Sequence, residues 1–199
     1  MLIQHLLPAV IGYLLGSIST GIVYSRYFLG KDVRTAGSKN AGASNMLRVH
    51  GVKSGVITFA GDCVKAIIAI IVGKLLGGQT GAMIAGLFVV LGHNWPLFFS
   101  FKGGKGIACC SAVFILCYPV WGIISAAVAI LTICIWRFIS LGSLVMTALY
   151  ALLLLFFEGV WPVGVWGVIL MVLAFYRHHG NIARLFHGTE RKIGQKENT

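Results

Sequence analysis

The chain has 199 residues, of which 58% are hydrophobic and only 11% charged, with a formal net charge of +11. A soluble protein of this length cannot hide so much apolar surface, so the composition excludes a water-soluble core and indicates a membrane protein. The positive charge would suit nucleic acid, but it falls in short loops, where orientation in a membrane already requires it, and no nucleic-acid partner is expected.

The first apolar run extends from Leu6 to about Tyr24. It has no basic segment before it and no small-residue cleavage site after it, so it reads as a retained helix rather than a signal peptide. Further runs cover Gly55 to Leu76, Thr80 to Phe99, Leu141 to Phe157 and Val160 to Tyr176. Each approaches the ~20 residues that a helix needs to cross a hydrocarbon layer of ~30 Å. Ile107 to Trp136 is too long for one ordinary crossing and too short for two full ones, and Tyr118 and Pro119 interrupt it. Two crossings there, one of them short, put 14 of the 16 Lys and Arg residues on one side. The expectation is therefore an all-α polytopic membrane protein with seven transmembrane helices, the N-terminus outside and the C-terminus cytoplasmic, forming a single domain over residues 1–199.

Polar islands separate these runs on the predicted cytoplasmic side. The first, "RTAGSKNAGASNMLRVHG" from Arg34 to Gly51, interleaves Ser38, Asn40, Ser44 and Asn45 with Gly37 and Gly42. Small residues with hydroxyl, amide and backbone N–H groups can wrap anionic oxygens, and Arg48 can clamp a phosphate with two parallel hydrogen bonds. The same residues also suit a solvated loop bonded to itself.

The second island, "FSFKGGKGIACC" from Phe99 to Cys110, places Lys102, Gly103, Gly104, Lys105 and Gly106 just before a predicted helix. Glycines let N–H groups turn toward an anion, and the helix start and both lysines add positive charge. It is not a Walker A loop: Phe99 and Gly106 stand where that motif needs glycine and a hydroxyl residue, and no strand precedes it. An ordinary turn carrying orientation charge is the plainer alternative.

The third island, "RHHGNIARLFHGTERK" from Arg177 to Lys192, offers His178, Asn181 and Glu190 beside Arg184 and Lys192. It suits either an interfacial amphipathic tail or a wall of a site. With only five acidic residues in the chain and no H-E-x-x-H pattern, no metal is expected. Asp62 and Lys65, one helical turn apart in an apolar run, are expected to pair, because lone charges in lipid are costly, and the pair suits a structural and a functional role equally. His93, Asn94, Ser140 and Ser143 lie toward the same face as the islands. The five cysteines lie in apolar runs without C-x-x-C spacing and read as packing residues.

Together the islands suit a phosphorylated, water-soluble substrate meeting a lipid-chain partner at the membrane face. The segments "GSKNAGASNMLR" (37–48), "GHNWPLFFSFKGGKGIA" (92–108) and "RHHGNIARLFHGTERK" (177–192) resemble, in order and spacing, the motifs of the bacterial acyl-phosphate glycerol-3-phosphate acyltransferases of the PlsY type. "YLLGSISTG" (13–21), "GDCVKA" (61–66) and "SLGS" (140–143) extend the likeness over nearly the whole chain. Lys39, Ser19 and Ala66 depart from it, standing where that family usually has glycine, proline and glycine, and Lys39 bears on the shape of the first loop.

The resemblance implies transfer of an acyl group from an acyl phosphate to the 1-hydroxyl of sn-glycerol 3-phosphate, yielding lysophosphatidic acid and inorganic phosphate. It implies no cofactor, a multi-pass protein of the bacterial cytoplasmic membrane with its active site on the cytoplasmic side, and the donor-making enzyme as a candidate partner. Ser38 and Lys105 would hold the acyl phosphate, and Arg48, His178 and Asn181 the glycerol 3-phosphate. Gly37, Asn40, Gly42, Ser44, Asn45, His93, Lys102, Gly103, Gly104, Gly106, Ser143 and Glu190 would make further substrate contacts. The proton acceptor is open between His178 and an oxygen of the acyl phosphate. The H-x-x-x-x-D pair of thioester-dependent acyltransferases is absent, because no histidine has aspartate five residues later. A transporter for a phosphorylated metabolite is the competing class, but no internal repeat is evident, and a scaffold without chemistry fits the dense polar islands least.

Overall fold

The computed structural model describes residues 2–195, and among these all regular structure is helical. The chain divides into two compact units, Met1–Cys117 and Tyr118–Thr199.

In the first unit, α1 (Leu2–Ser17) and α2 (Thr20–Phe28) divide the first apolar run. At the break Ser17 Oγ donates back to Tyr13 O at 2.8 Å and accepts from Leu97 N at 3.1 Å. Helix α3 (Ala43–Asn94) begins eight residues before the end of the first polar island at Gly51, with Gly42 as its N-cap. It is not straight: Gly51 (φ 82°), Gly77 (φ −144°) and Gly78 (φ 61°) leave helical geometry. The chain folds back at Gly77 and Gly78, because a Cβ on Gly73 would lie 2.5 Å from the carbonyl oxygen of Gly81 and 2.6 Å from Ala85 Cβ. Helix α1 packs along α3, with Gly12 against Ala85 and Gly16 against Val89. Small residues of this kind allow close approach where no hydrophobic force drives association. Helix α4 (Ile107–Cys117) also packs on α3.

The second unit contains α5 (Pro119–Trp136), α6 (Ile139–Phe157), α7 (Val165–Arg177) and α8 (His179–Phe186). Pro119 sits in the first turn of α5, where its missing N–H costs nothing. Arg137, in a left-handed conformation (φ 63°), reverses the chain into α6. Tyr150, fully buried, meets Trp166 edge-on with centroids 6.3 Å apart.

Five stretches among the described residues are long and apolar enough to cross a membrane: Ile3–Phe28, Ala43–Phe99, Pro119–Trp136, Ile139–Phe157 and Val160–Arg177. The number differs from seven for two physical reasons. The reversal at Gly77 and Gly78 is too tight to interrupt the helical pattern, so two apolar runs merge into one stretch. Helix α4, at 11 residues, is about half the length needed to cross. Large apolar side chains such as Leu75, Ile130 and Phe156 face outward while Asp62, Lys65, His93 and Asn94 are buried. This inverts the arrangement of a soluble protein. Gly73→Val should force the α3 hairpin apart at a cost of about 1–3 kcal/mol, seen as a lower melting temperature in detergent; an unchanged midpoint would contradict this packing.

Candidate active site

The site-bearing loops of the first unit are built from side chains that bond to backbone. Ser25 Oγ accepts from Val33 N at 3.1 Å, and Asp32 Oδ1 accepts from Arg34 N at 2.9 Å, capping a short 3-10 turn. Asn45, only 1% exposed, is the centre of the loop. Its Oδ1 accepts from Ser38 N at 2.9 Å, and its Nδ2 donates to Val33 O, Ala36 O and Asn40 O at 3.1, 3.1 and 2.9 Å. Asn40 Oδ1 accepts from Gly42 N at 2.9 Å. Asn40 and Asn45, predicted as ligand contacts, thus shape the loop that carries Ser38.

Ser38, Lys39 and Ser44 are exposed, and Arg48 is half-buried in the first turns of α3. Gly37 (φ 59°) and Lys39 (φ 56°) both occupy the left-handed region. Lys39 therefore adopts there a conformation natural to glycine, so the unusual residue keeps the loop shape at the expense of strain.

The second loop lies against the end of α3. Gly104 N donates to His93 O at 3.0 Å. A Cβ on Gly103 would strike that same carbonyl, and one on Gly104 would strike His93 Nε2. Only glycine fits at either place. Gly106 (φ 81°) then turns the chain into α4, and its carbonyl accepts from Cys110 N at 2.7 Å. Gly103, Gly104 and Gly106 are buried, Lys105 is half-buried and Lys102 is exposed. The first N–H groups of α4 and the positive end of its dipole adjoin the loop, which suits an anion.

Below it lies a buried charged cluster. Lys65 Nζ is 2.9 Å from Asp62 Oδ1, as their spacing predicts, and His93 Nδ1 is 3.5 Å from the same oxygen. Lys65 also donates to Gly16 O and Ile18 O, at the break between α1 and α2, at 2.9 and 2.7 Å. His93 enters as a member of this cluster, a role that nothing in its sequence neighbourhood signals.

The two loops are joined by a residue that sequence reasoning missed. Arg34 Nη1 donates to Phe99 O and to Lys102 O, both at 3.0 Å, and Asp32 holds the guanidinium from the other side, with Nη2 2.8 Å from Oδ2. These hydrogen bonds from Arg34 hold the Asp32 carboxyl well below the ordinary carboxylate range against the opposing effect of burial.

In the second unit, His178 is buried and its Nδ1 lies 2.7 Å from Ala174 O. An Nδ1–H donated to that carbonyl leaves the lone pair on Nε2. Glu190 gathers its surroundings: Asn181 Nδ2 and Ser140 Oγ donate to Oε1 at 2.7 and 2.8 Å, and Arg184 Nε donates to Oε2 at 2.8 Å. Burial alone would raise this carboxyl, but those bonds outweigh it and lower its pKa. Glu190 thus anchors Asn181. Ser143 donates to Ile139 O of its own helix at 2.8 Å and stays outside that cluster. The structure therefore ties Arg34, just before the Gly37–Arg48 segment, to Phe99 and Lys102 in one unit, and Asn181 to Glu190 in the other.

A family model described as glycerol-3-phosphate acyltransferase matches residues 6–188. The chain belongs to this family. It is 44% identical over 190 residues to the glycerol-3-phosphate acyltransferase of Thermoanaerobacter sp. (strain X514), covering 96% of each chain. It is 37% identical to that of Clostridioides difficile (strain 630), covering 98% of each. Among solved structures it resembles PlsY (YgiH), an integral membrane glycerol 3-phosphate acyltransferase, in its glycerol 3-phosphate form (TM-score 0.87, 36% identity, 96% of each chain). The lysophosphatidic acid form gives a TM-score of 0.83 at 35% identity, covering 96% of this chain and 95% of the other. Membership of this family agrees with the multi-pass, all-helical architecture.

Asp62→Ala should cost about 3–5 kcal/mol by stranding the Lys65 charge, measurable as a shift in the unfolding midpoint in mixed micelles, and a neutral effect would contradict the cluster. Because the folded state lowers the pKa of Glu190, its contribution is complete above the ordinary value of 4.5 and declines as pH falls through the folded-state pKa. Glu190→Gln should remove that part of the acid-side loss of stability, readable as a flatter melting-temperature profile below about pH 5.

Proposed function

We propose that this family member transfers a fatty acyl group from an acyl phosphate to the 1-hydroxyl of sn-glycerol 3-phosphate, the first acylation of phospholipid synthesis. The observation that carries this reading is the contact in the first unit by which Arg34, four residues before Ser38, holds the carbonyls of Phe99 and Lys102 at the start of the glycine loop that leads into α4. Such a framework suits anions, and both reactants carry phosphate. The glycerol 3-phosphate and lysophosphatidic acid forms of the PlsY structures support the choice of acceptor and product.

In this reading Ser38 and Lys105 hold the acyl phosphate and Arg48 holds the acceptor, while His178 and Asn181 are the second unit's candidate residues for the reaction. The acceptor oxygen attacks the carbonyl carbon, the carbon–oxygen bond to phosphate breaks, and inorganic phosphate leaves with the bonding pair. Lys105 stabilises the charge that grows on the departing phosphate. The hydroxyl proton passes to His178 Nε2 or to a phosphate oxygen. The mixed anhydride is already activated, so positioning supplies much of the rate without a covalent nucleophile. The whole chain acts as one catalytic domain and crosses the bacterial cytoplasmic membrane seven times, with α3 counted as two crossings about Gly77 and Gly78 and α4 as a short one; its N-terminus lies outside and its loops face the cytoplasm, where the donor-making enzyme is a candidate partner. The basic residues of the loops support that orientation.

Purified protein given palmitoyl phosphate and glycerol 3-phosphate should form lysophosphatidic acid and phosphate in equal amounts. Lys105→Ala should lower kcat by about 10²-fold or more. Turnover with acyl thioesters but not with acyl phosphate, or flux of glycerol 3-phosphate across liposomes without product, would overturn the reading.

A further inference from the structure

We propose that Asp32 and Arg34 are positioning residues that lock the Ser38 loop and the glycine loop into one rigid unit, an inference that rests on the acyltransferase reading for its catalytic consequence. Arg34 lies four residues before Ser38, and Lys102, whose carbonyl it holds, lies three before Lys105. One guanidinium therefore sets how the two loops sit against each other.

The donor arrangement of Arg34 fits such a role. Its Nε is shared between Asp32 Oδ1 and Oδ2 at 3.1 and 3.2 Å, its Nη2 donates to Oδ2, and its Nη1 spans the carbonyls of Phe99 and Lys102. A guanidinium has five N–H groups, and this pattern spends most of them on protein acceptors. Arg34 is thus a strut, and the phosphate clamp falls to Arg48. Asp32 also takes Arg26 Nε and Nη2 at 3.0 and 2.8 Å, while the Arg26 guanidinium lies 5.9 Å from the centre of the Phe99 ring. The clasp therefore grips the glycine loop at a backbone carbonyl and at a neighbouring side chain.

The grip meets a loop that needs it. Ser100 and Phe101 both stand at φ 57°, a strained conformation for residues with a Cβ, next to the two carbonyls that Arg34 holds. Lysine cannot replace Arg34, because one ammonium group cannot present a planar fork to a carboxylate and two carbonyls at once.

Two measurements on the full chain in detergent test the proposal. Amide hydrogen exchange of Arg34→Gln should accelerate at least tenfold over residues 99–105 while α5 to α7 keep their rates; unchanged exchange in that loop overturns the clasp. In steady-state assays Arg34→Gln, and Arg34→Lys with it, should lower kcat/KM by about 10²-fold, the scale of a displacement near 1 Å. Adding Asp32→Asn to Arg34→Gln should lose far less than the product of the two single losses, because both variants break the Asp32–Arg34 pair and only the exposed Arg26 contact is lost in addition; losses that multiply overturn the proposal. Should Arg34→Gln fail to fold, Asp32→Asn keeps the cation and is read by the same exchange and kinetic criteria. A wild-type protein that made no lysophosphatidic acid would refute the acyltransferase reading, while the exchange measurement would still decide whether the clasp exists.

Discussion

Irregular backbone beside apolar helices survives only where its N–H and C=O groups find fixed partners, because lipid supplies none and water reaches one side at most. That constraint governs the loops here. Asn45 satisfies three carbonyls and the N–H of Ser38, His93 receives Gly104 through its carbonyl, and Arg34 holds Phe99 and Lys102. Each contact removes a conformational alternative, so the loops emerge rigid and donor-rich. A surface of that kind can receive an anion without first being reorganised.

Charge economy follows from the same pressure. The chain has only five acidic residues. Among the described residues each has a donor or a cation beside it: Asp32 takes Arg34 and Arg26, Asp62 is ion-paired with Lys65, Glu158 takes the Trp121 indole, and Glu190 takes Asn181, Ser140 and Arg184. Carboxylates are thus organisers of polar side chains. Further cations in the loops, Lys102 and Lys105 among them, give those loops a positive character that suits an anion. Buried ionic clusters contribute little net stability compared with apolar packing, but they are costly to break in half. The Asp62 cluster therefore acts as a pin: it ties the break between α1 and α2 to the end of α3 on which the glycine loop rests.

Much of the fold was legible because membrane solvent leaves few options. Long apolar runs must be helices, and Tyr118 with Pro119 had to end one helix and open the next, as Cys117 and Pro119 do. The helical entry into α3 at Ala43 was hidden, because its first turns carry the polar pattern of a loop. The merging of two runs at Gly77 and Gly78 was hidden as well, since glycine signals a turn without stating how tight it is. At the site, Lys39 looked like a disturbance of the first loop and instead takes the left-handed conformation itself.

By itself the sequence determined that the chain is a bundle of apolar helices with anion-suited islands, because hydropathy, charge placement and glycine content are local properties. It also determined the near-neighbour pair of Asp62 and Lys65, one helical turn apart. Only the tertiary structure decided which polar side chains hold backbone groups, as Asn45 and Arg34 do, and which gather other side chains, as Glu190 does. Their partners lie as far as 68 residues away. A hydrogen bond over such a separation depends on how helices pack, and residue identity along the chain carries no record of that.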